Sequence, residues 1–359
     1  MVYRTLGRTG MQLPVVSMGV MRADNPNLVK AALDQGVKLL DTANGYQHGR
    51  NEEMLGKVLK DYPRKSYYLA TKVHLEGMNR KTGMYNEKAT KEDFLSKFNV
   101  SMKRLNIGYV DILYHHAVSS REATLHKPAL AAMKEIKDSG KAKFVGISTH
   151  QNIPEVIQAA IDSKFYEVIL VAYNSKQKNR DDIKLAIANA AEAGLGVVVM
   201  KTMAGGFLDK DRTKPVNTKA ALKWALQSKN VHTSIPGFTN FDMLDESLDV
   251  GKNLKFSDEE QKDILAARSG QDMYCNGCNV CLPQCKKGLP VPDLMRAYMY
   301  TYGYRELQKA QDLIVSLDIE KDPCSTCNDC SVNCANDFNV AEKIGDVTRL
   351  SDVPSDFIT

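Results

Sequence analysis

The chain has 359 residues, of which 43% are hydrophobic and 25% charged, with 23 Gly and 12 Pro. That is ordinary globular composition and excludes general disorder. The net charge of +5 is unevenly spread: the stretch from Gly270 onward carries −5 and the residues before it +10. Two solvated surfaces are the simpler reading, and a basic body that attracts a phosphorylated cofactor is the sharper one. The basic residues are dispersed and not interleaved with aromatics, which argues against a nucleic-acid partner.

All eight cysteines fall between Cys275 and Cys334, and the first 274 residues contain none. A disulfide-stapled secreted fold is therefore a poor fit, and clustered cysteines in a reducing compartment point to metal or catalysis. No segment approaches the roughly 20 apolar residues of a membrane span. The opening residues show neither a signal-like apolar run nor a twin-arginine leader. The expectation is a cytoplasmic protein with no membrane partner.

In chain order, residues 2–14 predict a hairpin that plugs the bottom of a barrel. Eight β-like runs then alternate with helix-like ones: 15–20, 38–43, 67–73, 110–116, 143–149, 168–174, 196–202 and 233–238. The runs are short, often β-branched and almost continuously apolar, as strands buried on both faces should be. Between them lie amphipathic stretches such as NLVKAALDQG and DDIKLAIANAAEAG, with apolar residues recurring at three and four. Eight such alternations in about 250 residues predict a (β/α)8 TIM barrel, an α/β fold. A doubly wound sheet would more often show G-x-G-x-x-G after the first strand, which is absent. Ser257-Asp-Glu-Glu260 reads as a capping box opening a last helix through about Arg268. The barrel domain is thus placed at 1–268 and a small, mainly helical domain at 269–359, in which 291–318 reads as helical and separates two cysteine groups.

In a barrel of this kind, chemistry sits where strands end and βα-loops begin. Asp41 ends the second run and Tyr46 lies in its loop. Lys72 ends the third, His115-His116 the fourth and Ser148 the fifth. Each alone has an ordinary structural explanation, but an acid, a phenol, an amine and an imidazole on one rim change the odds. A neighbouring ammonium lowers the pKa of a phenol that is otherwise near 10. Asp41 would hold Lys72, Tyr46 would protonate a carbonyl oxygen as hydride reaches carbon, and an imidazole would polarise that oxygen. After the seventh and eighth runs, Ala204-Gly205-Gly206 and Pro236-Gly237 offer backbone N–H groups to phosphate, although tight turns explain either loop alone. The long loop after the third run carries Arg80 and Lys81, which could meet an anionic substrate; a solvated loop is the simpler reading.

These residues resemble the aldo-keto reductase family. The resemblance is carried by LGRTG (6–10), GVKLLDTANGY (36–46), NEEMLGKVL (51–59), LATKV (69–73), YVDILYHH (109–116), GKAKFVGIS (140–148), MAGGFL (203–208) and the IPG after the eighth run, over roughly residues 2–250. It implies reduction of a small-molecule carbonyl by a tetrad of Asp41, Tyr46, Lys72 and His116. The family places its histidine five residues beyond the aspartate of the VD pair, so Asp111 selects His116 and leaves His115 as an inward or wall residue. It also implies NADP(H) or NAD(H), with Ser148, Asn174, Lys201, Gly205, Gly206, Gly237 and Thr239 as contacts. The chain departs from the family at Thr149, Leu170 and Met200, where Asn, Gln and an aromatic are usual. It departs again at Gly237 and Met243, where a basic pair is usual. These residues select neither NADPH nor NADH.

The cysteines read Cys275-x2-Cys278-x2-Cys281-x3-Cys285 and Cys324-x2-Cys327-x2-Cys330-x3-Cys334. Duplicated C-x2-C-x2-C-x3-C is the spacing of two-cluster ferredoxins. Structural zinc, which favours paired C-x2-C, is the rival. The resemblance to ferredoxin modules implies two [4Fe–4S] clusters with crossed ligands. One would use Cys275, Cys278, Cys281 and Cys334, the other Cys324, Cys327, Cys330 and Cys285. Tyr298, Tyr300, Tyr302 and Tyr304 cannot share one helical face and read as packing around the clusters or a subunit interface.

Hydride transfer moves two electrons at once and a cubane carries one, so nicotinamide does not readily feed a cluster without a flavin. Two enzymatic readings follow. In the first, NAD(P)H reduces a carbonyl and the clusters are structural or shape the mouth. In the second, a ferredoxin-type donor feeds the clusters and the barrel binds an organic substrate or a flavin in place of nicotinamide. A non-enzymatic redox or iron sensor is the third reading, but it has no need of the tetrad.

Overall fold

The computed structural model describes residues 1–209, 211, 213–269, 274–319, 321–327 and 330–358. The chain opens with an antiparallel hairpin, β1 (Tyr3–Thr5) and β2 (Gln12–Pro14), with Tyr3 opposite Pro14. Eight parallel strands follow: β3 (Met18–Gly19), β4 (Leu39–Asp41), β5 (Tyr68–Val73), β6 (Val110–His115), β7 (Ala142–Thr149), β8 (Val168–Ala172), β9 (Gly196–Met200) and β10 (Thr233–Ser234). They lie side by side in chain order. Val16 and Gly19 bridge to Ser234 and Gly237, which joins the first strand to the last and closes the TIM barrel. Every strand falls within its predicted run except β7, which starts one residue earlier.

The outer layer is α1 (Pro26–Asp34), α2 (Arg50–Val58), α3 (Lys91–Leu105), the short α4 (Arg121–Thr124), α5 (Lys127–Asp138), α6 (Ile153–Ser163), α7 (Arg180–Glu192), α8 (Thr218–Leu226), α9 (Phe241–Lys252) and α10 (Asp258–Ser269). Thr90, Asn217 and Asn240 cap α3, α8 and α9 through their side chains, as orphan N–H groups at a helix start require. The capping box before α10 is formed: Ser257 N–H donates to the Glu260 carboxylate (2.8 Å) and Glu260 N–H to the Ser257 hydroxyl (3.1 Å).

The barrel buries two apolar layers. The inner one holds Leu39, Ala70, Ile112, Tyr114, Leu170 and Val198, and Leu6, Met11 and Leu13 of the hairpin segment pack into it from below. Gly7 has φ +49, and a Cβ there would lie 2.4 Å from the Gly196 backbone nitrogen, so only glycine fits this approach. Leu6→Ala should therefore cost about 2–5 kcal/mol, the range for a fully buried leucine. Chemical unfolding would measure it, and a loss well under 1 kcal/mol would mean the plug is peripheral.

The C-terminal region contributes α11 (Val291–Tyr298), a π-helical turn over Met299–Tyr304, α12 (Leu307–Ser316) and α13 (Val340–Thr348). The predicted helix over 291–318 is thus broken. The π turn ends at Arg305, whose backbone is left-handed with φ 55. This region lies on the mouth of the barrel. Asn152 N–H donates to Gly277 O (2.8 Å), and Lys178 N–H to Asn276 Oδ1 (3.2 Å). Arg22–Glu306 (2.6 Å), Arg80–Asp293 (3.1 Å) and Lys178–Asp337 (2.6 Å) pair basic body with acidic appendage. The uneven charge of the sequence is therefore in part an internal complementarity, and Arg80 is held by Asp293. No helix of the described residues is long and apolar enough to cross a membrane.

Candidate active site

The register of the barrel sets the site. Asp41 of β4 lies opposite Ala70 of β5, which puts Lys72 on the same inward-facing row, one step nearer the mouth. Lys72 is 1% exposed and Asp41 2%. The Lys72 ammonium donates to Asp41 Oδ1 (2.5 Å), to Thr42 O (2.7 Å) and to Tyr46 Oη (3.2 Å). Tyr46 begins a tight turn in which Gln47 and His48 both take left-handed backbone. The Gln47 amide pins that turn to Met21 O (3.2 Å). Burial pulls the Lys72 ammonium down, but Asp41 and Tyr46 outweigh it and hold it above its ordinary value.

His116 follows β6 directly, its N–H bonded to Val73 O (2.9 Å). Its ring stands edge-on to Tyr46 with centroids 6.0 Å apart. Burial holds this imidazole well below its ordinary value, and the charges of Lys72, His74 and Lys309 add to that. It is a neutral hydrogen-bonding group. His115 turns the other way. It stacks on Tyr85, meets Phe94 of α3 edge-on and lies 2.9 Å from the Tyr85 hydroxyl through Nε2, a wall residue between strand and helices.

The residues expected to meet a nucleotide are placed differently from one another. Ser148 is the penultimate residue of β7, its hydroxyl accepting from Ala117 N–H (3.0 Å). Asn174 donates to Lys201 O (3.2 Å) and accepts from Lys176 N–H (3.1 Å). Lys201 follows β9 with φ 59, its ammonium 5.3 Å from the Tyr300 ring and 5.1 Å from the Tyr304 ring. Gly205 lies against the Gly303 backbone, and Gly206 N–H donates to Gly303 O (3.2 Å). Gly237 makes the closing bridge to Gly19. Thr239 is exposed ahead of α9, its hydroxyl 3.2 Å from Met243 Sδ. Met200 and Leu170 pack into the barrel interior.

Sequence reasoning missed that Arg296, Tyr300 and Lys309 of the C-terminal region reach this mouth. Lys309 lies 5.5 Å from the Tyr46 ring and 4.9 Å from the Tyr300 ring. The dense tyrosine run was the available signal, but which ring turns inward depends on the π turn.

The cysteines gather in two groups. Cys275, Cys278, Cys281 and Cys334 line one cavity together with Val291, Met295 and Val340. Cys324 interacts with Cys327, Cys330 and Cys285. Burial pushes the Cys275 and Cys281 thiols up to about 12 and Cys324 up to about 11, with neighbouring thiols adding to the effect. Such thiols ionise only around a strongly positive centre. Cys275 also lines a cavity of about 20 Å³ shared with His150, Lys201 and Arg296, room for about one water.

The profile of the aldo/keto reductase family matches residues 10–220, more than half of the chain. This chain belongs to the aldo/keto reductase family. A 4Fe-4S dicluster domain profile matches residues 274–339, so this aldo/keto reductase is an oxidoreductase with an added iron–sulfur domain. It is 25% identical to L-glyceraldehyde 3-phosphate reductase of Escherichia coli O157:H7 over 74% of the chain and 91% of that relative. It is 23% identical to probable aldo-keto reductase 1 of Glycine max over 73% of the chain and 87% of that relative. Among solved structures, an aldo-keto reductase from Bacillus halodurans in its holo form superposes with a TM-score of 0.60 at 21% identity, covering 75% of this chain and 97% of that one. That likeness shows the shared barrel.

Proposed function

We propose that this aldo/keto reductase reduces a small aldehyde or ketone to the alcohol at the barrel mouth, with Tyr46 as the proton donor. One observation carries the reading: the buried chain in which Asp41 holds Lys72 and Lys72 reaches the Tyr46 hydroxyl at 3.2 Å. The phenolate left after proton donation is stabilised by that ammonium. Neutral His116 donates a hydrogen bond to the carbonyl oxygen and orients it. We place the boundary between a catalytic part, 1–268, and a cluster-bearing part, 269–359, and the protein in the cytoplasm, where reduced thiols persist.

NAD(P)H is the hydride source the family implies, and it supplies two electrons and a hydrogen in one transfer. Ser148, Asn174, Lys201, Gly205, Gly206, Gly237 and Thr239 are the residues that would hold it. With Met299–Tyr304 in place they do not fit a dinucleotide. The Gly206 amide is taken by Gly303, which also packs against Gly205, and Asn174 is bonded at both ends of its amide.

That misfit favours a second reading for the source of electrons. Cys275, Cys278, Cys281 and Cys334 fit one [4Fe–4S] cluster, and Cys324, Cys327, Cys330 and Cys285 another; both carry single electrons when present. The first group adjoins the cavity of Lys201 and His150 at the barrel mouth. Clusters held there would supply single electrons from a ferredoxin-type donor, while Tyr46 would give one of the two protons the carbonyl needs and water the other. Anaerobic protein with its iron and sulfide counted, titrated with NADPH and NADH, separates the two. Nucleotide binding with unchanged cluster absorbance supports the hydride source. Absence of binding, with turnover driven by reduced ferredoxin or dithionite, supports the clusters. Failure of every electron source to reduce any small aldehyde or ketone overturns the shared proposal.

A further inference from the structure

Three cations from separate parts of the chain meet around Tyr300, and one of them, Lys309, also faces Tyr46. Lys201 follows β9, Arg296 lies on α11 and Lys309 on α12. Lys201 and Lys309 face the same Tyr300 ring, at 5.3 and 4.9 Å, and Lys309 also faces the ring of Tyr46. Arg296 shares a cavity with Lys201. Tyr300 between them is only 6% exposed, and the charges of Lys309, Lys201 and Arg296 all reach it.

Negative charge at this place is scarce. Glu306 also acts on Tyr300, but Arg22 holds its carboxylate at 2.6 Å. Asp293, 3.5 Å from Arg296, is shared with Arg80 at 3.1 Å. Among the described residues, neither Lys201 nor Lys309 has a carboxylate within ion-pair distance, and the Lys309 ammonium contacts only the weakly accepting Met21 sulfur and phenol rings. His116 and His150 are neutral, chiefly through burial. Phenol rings compensate a buried ammonium only in part, and unpaired cations in a desolvated space are costly. An anion entering here would relieve that cost.

We propose that Lys201, Arg296 and Lys309 form the subsite for a carboxylate on the substrate, so that the compound reduced at Tyr46 is a small oxo acid. The inference rests on the placement of the carbonyl at Tyr46. It does not depend on which electron source acts. Lys309 spans from Tyr46 to Tyr300, so the acid group lies within a few bonds of the carbonyl. A phosphate of a dinucleotide is the other anion that could meet these cations. The substrate is favoured because two of the three come from the region that covers the glycine loop.

The test uses anaerobic, cluster-loaded protein and calorimetric binding of glyoxylate, pyruvate and succinic semialdehyde, each against its uncharged methyl ester. At least one acid should bind about tenfold or more tightly than its ester, as a charge-assisted contact implies. Lys201→Met and Lys309→Met should each shrink that preference, and Lys309→Arg should keep it. If no acid outbinds its ester in the unaltered protein, the proposal is overturned whatever the variants do. If the two methionine variants weaken NADPH but leave the acid preference intact, the cations belong to a nucleotide phosphate and the proposal also fails. Tyr46→Phe separates the underlying reading: acid preference with undiminished reduction in that variant removes the Tyr46 placement and leaves the anion subsite standing.

Discussion

Tyr46→Phe should lower carbonyl reduction by about 10²–10⁴-fold, the usual contribution of a positioned proton donor. The substrate's KM should change much less, because phenylalanine keeps the ring that faces His116 and Lys309. Steady-state kinetics under anaerobic conditions read both. Full activity in the variant would remove Tyr46 as the acid. Lys72→Met is a less clean partner experiment. It removes the ammonium that lies 3.2 Å from the phenol, but it also strands Asp41, which is 2% exposed. Breaking a buried pair in this way costs about 3–5 kcal/mol, so lower activity in that variant mixes chemistry with folding. The phenylalanine variant isolates the proton.

The second large effect concerns the cysteines. Cys334→Ala should remove the same cluster as Cys275→Ala, although the two residues belong to different sequence groups, because both line one cavity. Cys285→Ala should instead act with Cys324→Ala, as their proximity implies. Each variant is expected to lose close to half of the bound iron and sulfide. Spectra of the remaining cluster should agree within each crossed pair and differ between pairs. Loss following the order of the sequence, with Cys285 grouped with Cys275, would overturn the crossed arrangement.

The barrel was legible because its strands are continuous apolar runs whose ends carry reactive residues. Asp41, Tyr46, Lys72 and His116 stand at or near where a strand stops and a loop starts, and spacing along three neighbouring strands suffices to bring them together. The hairpin plug was legible for a similar reason, since Leu6, Leu13 and Gly7 are local and pack onto the nearest available core. The cover over the mouth was not. Tyr298, Tyr300, Tyr302 and Tyr304 alternate, a period that suits no single helix face. Only the π turn, with Arg305 left-handed behind it, turns Gly303 O toward Gly206 and the Tyr300 ring toward Lys201. Arg80 shows the opposite failure. Its charge and loop position suggested a substrate contact, whereas Asp293, more than two hundred residues away, claims it.

The packing of α11 and α13 has a consequence for handling and for physiology. Val291 and Met295 on one helix and Val340 on the other line the space that the first four thiols share, and the same α11 leads straight into the turn that covers Gly206. A cluster held by those thiols would brace the roof of the reaction chamber, and its loss in air would loosen that roof. Protein purified in oxygen would then show altered access even with the tetrad beneath untouched.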